Sequence, residues 1–389
     1  MITTHKFSFI TLVLLVSFAS VNAVLFTPAL PDIAKFFNVT EDSAQLTISW
    51  FLIGYALGQL IYGPLANRFG RKPALYIGVI IQIISCLLCV VAGNLHLFNV
   101  LIMGRFLLAL GSGVGLKMTF TLINESYEPK VASQKIAYLM LAFAITPGLA
   151  VAFGGVLNSH YGWQSCFYAL AVYGLVMLYL VSRFPETQLT LDLDALKLGH
   201  LISGYTAQLK NLTLISGGLL MGICSSYVYV FAALAPFLAI NFLGMNSSQY
   251  GFANLLPPIG LLLGSITSAQ LVKKLELKTV IILGSLLALF GCVTVFIASY
   301  YHLSAVYSLF LPMIIVYFGL CFILANASVL AMAGVVDKAH ASAVMNFINM
   351  GFATVMVLGI AYFSLTLLLM PLFFIALAIS MLFLQLALR

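Results

Sequence analysis

Acidic residues are scarce in this chain. Its 389 residues include 17 Lys and Arg but only 10 Asp and Glu, and charged residues make up 7% of the total, against roughly a quarter in soluble domains. The shortage excludes chemistry that depends on such groups. No paired acids, metal cluster or nucleophile with its base falls inside the apolar stretches, which argues against a membrane-embedded enzyme and predicts neither cofactor nor metal. Cysteine is sparse too: Cys86, Cys89, Cys166, Cys224, Cys292 and Cys321 all lie in or beside apolar stretches. This placement argues against a disulfide framework and for small buried hydrophobes. Cys86 and Cys89 have metal-like spacing, but no second Cys or His pair is near. Long polar stretches are missing as well, which leaves no room for the soluble domain that a membrane sensor usually adds.

What the chain has instead is hydrophobic surface, with 63% hydrophobic residues and a mean hydropathy of +1.13. A crossing helix needs about 20 apolar residues, so this length holds about twelve crossings joined by short loops. The apolar segments run over 7–27, 44–65, 74–93, 97–123, 137–157, 165–183, 212–237, 250–271, 279–298, 304–333, 342–363 and 366–387, numbered here helices 1 to 12. The first resembles a signal peptide, but its apolar run continues to Phe26 and predicts an uncleaved span. With the amino terminus inside, Lys6, Arg68, Arg71, Lys72, Lys130, Lys135, Arg183, Lys197, Lys210, Lys273, Lys274, Lys278, Lys338 and Arg389 share one side, and only Lys35 falls on the other. That imbalance predicts a multi-pass protein of a bacterial-type inner membrane with both termini cytoplasmic. Orientation thus accounts for the net charge of +7, and no nucleic-acid partner is expected.

An internal repeat agrees with this count. A shift of 206 residues lays Phe36–Thr40 over Phe242–Asn246 and Leu65–Gly78 over Leu271–Gly284; the second copy keeps basic Lys273, Lys274 and Lys278 but loses the glycines. The predicted fold is an all-α polytopic membrane protein, with twelve transmembrane helices in two pseudo-symmetric six-helix bundles, residues 1–187 and 212–389, and a substrate path between them. Residues 188–211 form a cytoplasmic linker, in which Asp192, Asp194, Lys197, His200 and Lys210 stand among leucines. It reads as an amphipathic segment at the membrane surface, with flexible coil as the alternative. A monomer in a lipid bilayer is expected.

Between helices 2 and 3 lies the basic loop Gly63-Pro-Leu-Ala-Asn-Arg-Phe-Gly-Arg-Lys-Pro73. Gly63 and Gly70 permit close approach and a sharp turn, Pro64 and Pro73 limit helix continuation, and Arg68, Arg71 and Lys72 mark a cytoplasmic face. This loop resembles the Gly-x-Leu-Ala-Asp-Arg-Phe-Gly-Arg-Lys pattern of the major facilitator superfamily, with Asn67 in place of the aspartate. Arg105-Phe-Leu-Leu-Ala-Leu-Gly-Ser-Gly113 is similar to that family's Arg-Phe-x-Gln-Gly-x-Gly motif without its glutamine, and Gly162-Trp163 and Pro185-Glu-Thr187 are also similar to family segments. Pro28-Ala-Leu-Pro-Asp-Ile-Ala34 resembles the segment after helix 1 in the drug:proton antiporter branch, particularly Bcr/CflA-type transporters.

The resemblance implies a gating set of Gly63, Asn67, Arg68, Gly70, Arg71, Lys72 and Glu125, with Glu125 pairing Arg71. The family aspartate faces the positive end of helix 11; Asn67 keeps the hydrogen bond and loses a charge worth roughly 0.3 to 2 kcal/mol, predicting a weaker inner latch. In helix 5 the antiporter motif takes the form Thr146-Pro-Gly148 followed by Gly154-Gly155, with Val151 where the pattern has proline. In helix 1, Val24 stands where Bcr/CflA-like proteins commonly carry an acid. Asp32 at the outer mouth is then the coupling candidate for protons.

A charge near the bilayer centre costs about 2.5 to 3.5 kcal/mol and normally faces a wet cavity or a partner. Arg105 is therefore the leading substrate-binding candidate, with Ser112 and Thr119 within about 40° of it around helix 4. Its alternative is a tie to backbone carbonyls of helix 1. Lys117, about 120° around, either lines the cavity or snorkels to the interface. Asn22, Ser225, Tyr227, Tyr229, Asn254 and Asn326 complete the set, each with packing as its bland alternative.

Two functional readings result. The resemblance implies secondary active transport of a small organic molecule by alternating access, of the multidrug efflux type. Two intramembrane cations and no carboxylate suit an anionic metabolite or a siderophore-like polycarboxylate instead. For such cargo an inside-negative potential of 100 mV assists export by about 2.3 kcal/mol per charge. A non-transporting sensor is a remote third reading.

Overall fold

The computed structural model describes residues 7–188, 191–335 and 337–387. Lys6, Arg389 and the side chains of Lys130 and His200 lie outside the described residues. Hydrocarbon offers a backbone no water to bond, so each crossing segment must satisfy its own N–H and C=O groups, and a helix does so within one segment. Helix 1 spans Phe9–Phe37, helix 2 Glu41–Phe69, helix 3 Arg71–Asn94, helix 4 Phe98–Ser126, helix 5 Pro129–Tyr161 and helix 6 Gln164–Ser182. Helix 7 spans Leu212–Phe242, helix 8 Ser247–Leu271, helix 9 Leu277–Tyr300, helix 10 Val306–Ala331, helix 11 Lys338–Ile360 and helix 12 Leu369–Ala387. A further short helix, Leu198–Gln208, lies in the linker.

Every predicted segment is present, and most helices extend beyond the apolar run. Polar first turns explain part of the difference: helix 2 begins at Glu41 and Asp42, with the Thr40 hydroxyl accepting from Ser43 N. Acids and a capping hydroxyl stabilise that turn although hydropathy does not register it. Helix 1 departs most. Its first stretch ends at Val24, a 3-10 turn covers Thr27–Ala29, and helix resumes over Leu30–Phe37. Pro28 and Pro31 both sit in first-turn positions, where a missing N–H costs little.

The repeat is visible in the backbone. Asn38 (φ 50°) and Gly244 (φ 73°) are left-handed at equivalent places, and so are His96 (φ 53°) and His302 (φ 51°). Thr40 and Asn246, again equivalent, each cap the following helix through a side-chain oxygen. Packing is less symmetric between the two ends of the bundle. The end bearing the loop from Arg68 to Lys72 is called here the basic end, and the end bearing Asp32 the far end. One apolar core runs through both halves from the middle to the far end, joining Phe26, Phe51, Phe231 and Phe310. At the basic end it divides into a first-half cluster around Leu75, Val114 and Met177 and a separate second-half cluster around Leu214, Ala341 and Met345. All six cysteines are buried and unpaired.

Candidate functional site

The break in helix 1 creates the first polar requirement. Carbonyls in a helix's last turn have no partner within the helix, and Arg105 supplies donors to two of them. Its Nη1 donates to Asn22 O (2.8 Å), Nη2 to Ala23 O (3.1 Å) and Nε to Thr47 O (3.3 Å). The guanidinium lies 3.9 Å from the Phe26 ring centroid and 4.4 Å from that of Phe51, and the residue has 0% exposure. Val24 O faces Pro28, which has no N–H to offer, and the Thr27 hydroxyl donates to it instead (2.8 Å). Arg105 therefore binds helices 1, 2 and 4 together.

Asn22 gives Arg105 only its backbone carbonyl. Its side chain joins Gln82, whose Nε2 donates to Asn22 Oδ1 and to Leu170 O (both 2.9 Å), linking helices 1, 3 and 6. Gln82 was not among the candidates, although a lone amide in an apolar helix is a readable signal. Ser112 and Thr119 are buried, and their hydroxyls donate one turn back to Leu108 O and Gly115 O.

At the basic end, Gly70 turns the chain at φ 101° and exposes the amides that open helix 3. Glu186 caps them, accepting from Arg71 N (2.9 Å) and Lys72 N (3.0 Å). The Arg71 guanidinium pairs with Glu125 (Nη2 to Oε1, 2.7 Å) and donates to Asn67 Oδ1 (2.8 Å). Lys72 Nζ donates to Ser182 O, and Arg68 rests against the Phe69 ring. All these partners lie in the first half, and the Asn67 amide turns to Arg71, not to helix 11.

Beside this loop, where helix 11 packs along helix 2, lies a cavity of about 240 Å³ with Asn67, Lys117 and Thr121 on one side and His340 and Ala343 on the other. Lys117 reaches in over Gly63, where a Cβ would stand 2.5 Å from the amine; glycine there leaves room for the cation. Its Nζ donates to Gln59 O at 3.4 Å. The linker spans the opening. Asp192 N donates to Asn67 O (3.0 Å), and the Tyr205 hydroxyl donates to Leu60 O (2.9 Å). Leu60 O needs that donor because Pro64, one turn on, has no N–H. Tyr205 also sets its ring edge-on to His340 of helix 11, with centroids 5.1 Å apart. Burial raises the Tyr205 pKa above its usual value, so the phenol remains a donor. The linker helix thus docks across the opening instead of lying only at the membrane surface, drawn there by the unsatisfied carbonyl and the imidazole.

The far end is joined directly. Asn158 of helix 5 donates from Nδ2 to Asp32 Oδ2 (2.6 Å) and to Ser247 Oγ of helix 8 (3.0 Å). Asn241 Nδ2 donates to Glu41 Oε1 (2.6 Å), and Ser248 N donates to Ser159 Oγ (3.1 Å). The glycines of the helix 5 motif make this contact possible. A Cβ on Gly154 would overlap Leu25 O of helix 1, and one on Gly155 would overlap Ser247 O of helix 8.

Residues 12–360 match the family profile described as the Major Facilitator Superfamily. The chain belongs to that superfamily. It is a membrane transporter and not an enzyme. Similar proteins include Multidrug resistance protein D of Escherichia coli (strain K12), 26% identical over 79% of this chain and 76% of the relative. Chloramphenicol resistance protein CraA of Acinetobacter baumannii is 24% identical over 76% of this chain and 70% of its own. The Bicyclomycin resistance protein homolog of Haemophilus influenzae is 22% identical over 66% and 64%. These relatives fit the Bcr/CflA-type resemblance. Among solved structures, the peptide transporter POT in complex with sulfate aligns over 100% of this chain and 95% of its own with a TM-score of 0.77 at 14% identity. A D-xylose-proton symporter aligns over 96% of each chain with a TM-score of 0.71 at 15% identity. Both share the fold.

The other candidates of this major facilitator protein fall at separate places. Ser225 and Tyr229 are half-buried on helix 7, and Tyr229 lies within electrostatic reach of Tyr55 on helix 2, across the two halves. Tyr227 points elsewhere, its hydroxyl donating to Phe374 O of helix 12 (2.8 Å). Asn254 sits at a break in helix 8 beside Gly148 of helix 5. Asn326 donates to Ser268 Oγ (3.2 Å) and Phe322 O (2.8 Å), tying helix 10 to helix 8. Tyr55 was missed, as were Tyr250, in the first turn of helix 8, and Tyr317 of helix 10, which lie within electrostatic reach of each other, with Thr27 of helix 1 beside Tyr250. Nothing local separates these from the other tyrosines, since only pairing across the halves marks them.

Proposed function

We propose that this transporter exports small, largely apolar organic molecules from the cytoplasm by alternating access, in the multidrug manner indicated by its relatives' names. The observation that carries the reading is the asymmetry between the ends: direct side-chain bonds join the halves at the far end, while at the basic end a cavity lies between them under the linker. The excess of basic residues supports a cytoplasmic position for the basic end, in a bacterial-type inner membrane with both termini inside. Cargo entering there meets Tyr55, Ser225, Tyr229 and Asn254, a mostly apolar surface with a few polar groups suited to varied small molecules. Arg105 braces the first half so that it rocks as a unit. The loop from Gly63 to Lys72, with Glu125, gates the cytoplasmic side.

Asp32 is the proposed proton-coupling group. Protonation removes the negative charge that strengthens the bond from Asn158, and so loosens the bridge to Ser247. Everted vesicles carrying the protein test the reading: respiration should drive ethidium inward, and a protonophore should stop it. Absence of any accumulation, or accumulation indifferent to both the pH gradient and the potential, overturns it.

A further inference from the structure

The cavity at the basic end contains an unmatched cation. Arg71 is neutralised by Glu125 at 2.7 Å, and His340 is bonded to Asp337 at 2.6 Å. Lys117 has no carboxylate within 4 Å among the described residues; its one bond is the 3.4 Å contact with Gln59 O, long for an ammonium donor. Snorkelling does not account for it. Lys117 is nine residues from the end of helix 4, about 13 Å along the axis, and its amine turns across Gly63 into the space between the halves. The negative group lining the same cavity is Asp192, which enters on the linker and is held through its backbone N–H to Asn67.

We infer that Lys117 is an anion-recognition residue and that the cargo class includes small organic monocarboxylates, which bind at Lys117 when the linker withdraws Asp192. A cavity of about 240 Å³ is slightly smaller than the roughly 300 to 1,000 Å³ of drug-sized pockets, and this limits the anion to a compact one. Asp192 supplies the cavity's negative charge when it is empty, and an entering carboxylate displaces it. The linker thereby couples substrate entry to opening. This inference rests on the transport reading for its direction, but recognition itself is measurable without flux.

The test uses the full chain in nanodiscs of zwitterionic lipid with radiolabelled benzoate as probe and its neutral amide, benzamide, as competitor. Benzoate should bind and resist displacement by benzamide. Lys117→Met should weaken it about tenfold or more, the loss expected for one charge-assisted hydrogen bond, and Lys117→Arg should restore much of the affinity. Asp192→Asn should tighten benzoate binding about threefold, the scale of a partly exposed ion pair. Wild-type benzoate affinity in Lys117→Met overturns the inference, as does equal binding of benzamide. Should Lys117→Met not fold, unchanged benzoate affinity in Asp192→Asn overturns it. Benzoate binding with no flux under any gradient refutes the transport reading and with it the assignment of monocarboxylates as cargo, leaving anion recognition at Lys117 standing; ethidium export with no benzoate binding does the reverse.

Discussion

The two ends of the cleft are joined by different means. At the far end, side chains of opposite halves bond each other directly through Asn158 and Ser247 and through Asn241 and Glu41, over helices that approach at glycine. At the basic end, the core separates into two clusters, and the bridge is the linker, with Tyr205 touching Leu60 O on one side and His340 on the other. The first closure is specific and geometrically locked. The second is a strap laid over a cavity, beside which helices 2 and 11 of opposite halves still pack on each other. Alternating access requires both closures to lie within a few kcal/mol of each other, and weak polar bridges of about 1 kcal/mol each keep them in that range.

The largest effect should come from the brace on which the far end rests. Arg105→Leu leaves three buried carbonyls without a donor and empties the space between Phe26 and Phe51, a loss of roughly 3 to 5 kcal/mol. A fall in thermal stability, with Arg105→Lys recovering only part, is the expected result. An unchanged melting temperature with a raised KM would instead make Arg105 a substrate ligand and leave the far end without its brace.

Next in size is the lock itself. Gly155→Leu forces a side chain onto Ser247 O, and overpacking of this kind costs about 1 to 3 kcal/mol. The far end should open, which spin labels on helices 5 and 8 would register as a lengthened distance, with transport falling by roughly 5- to 150-fold at the same energy. A leucine accommodated without a change in distance would show that the glycine contact is incidental.

These residues also mark how much was legible. The twelve segments follow from apolar runs because hydrocarbon leaves a chain few other options. The Arg71 and Glu125 pair was implied by the resemblance and is present at 2.7 Å. Tertiary bonds to backbone were not legible: no local pattern says that Arg105 donates to Asn22 O and Ala23 O, or that Tyr205 serves Leu60 O. Each nevertheless meets a need the backbone creates: the break in helix 1 leaves last-turn carbonyls open for Arg105, and Pro64 withholds the N–H that Leu60 O lacks. The helix 5 glycines were read as a motif, but which helices they admit depended on the packing of both halves.

The strap gives a smaller, opposite effect. Tyr205→Phe removes the donor to Leu60 O, a half-buried bond worth about 1 kcal/mol. The linker should detach more often, and a cysteine placed at Thr121 in the cavity should label a few times faster with a membrane-impermeant thiol reagent applied at the basic end. Equal labelling would mean that Tyr205 does not hold the linker.

Smallest is the charge missing from the loop. Asn67→Asp gives Arg71 a second anion, but it also sets a carboxylate near Asp192, whose N–H is held by the carbonyl of residue 67. The two contributions oppose each other, and at this partly exposed site each is worth about 0.2 to 1 kcal/mol. In the wild-type background repulsion should loosen the linker slightly; with Asp192→Asn, repulsion is gone and the same substitution should tighten it. A double-mutant cycle on thiol labelling at Thr121 reads that change of sign. Equal shifts in both backgrounds would mean that the two positions do not sense each other, so that the loop acts on its own half and the linker alone connects it to helix 11.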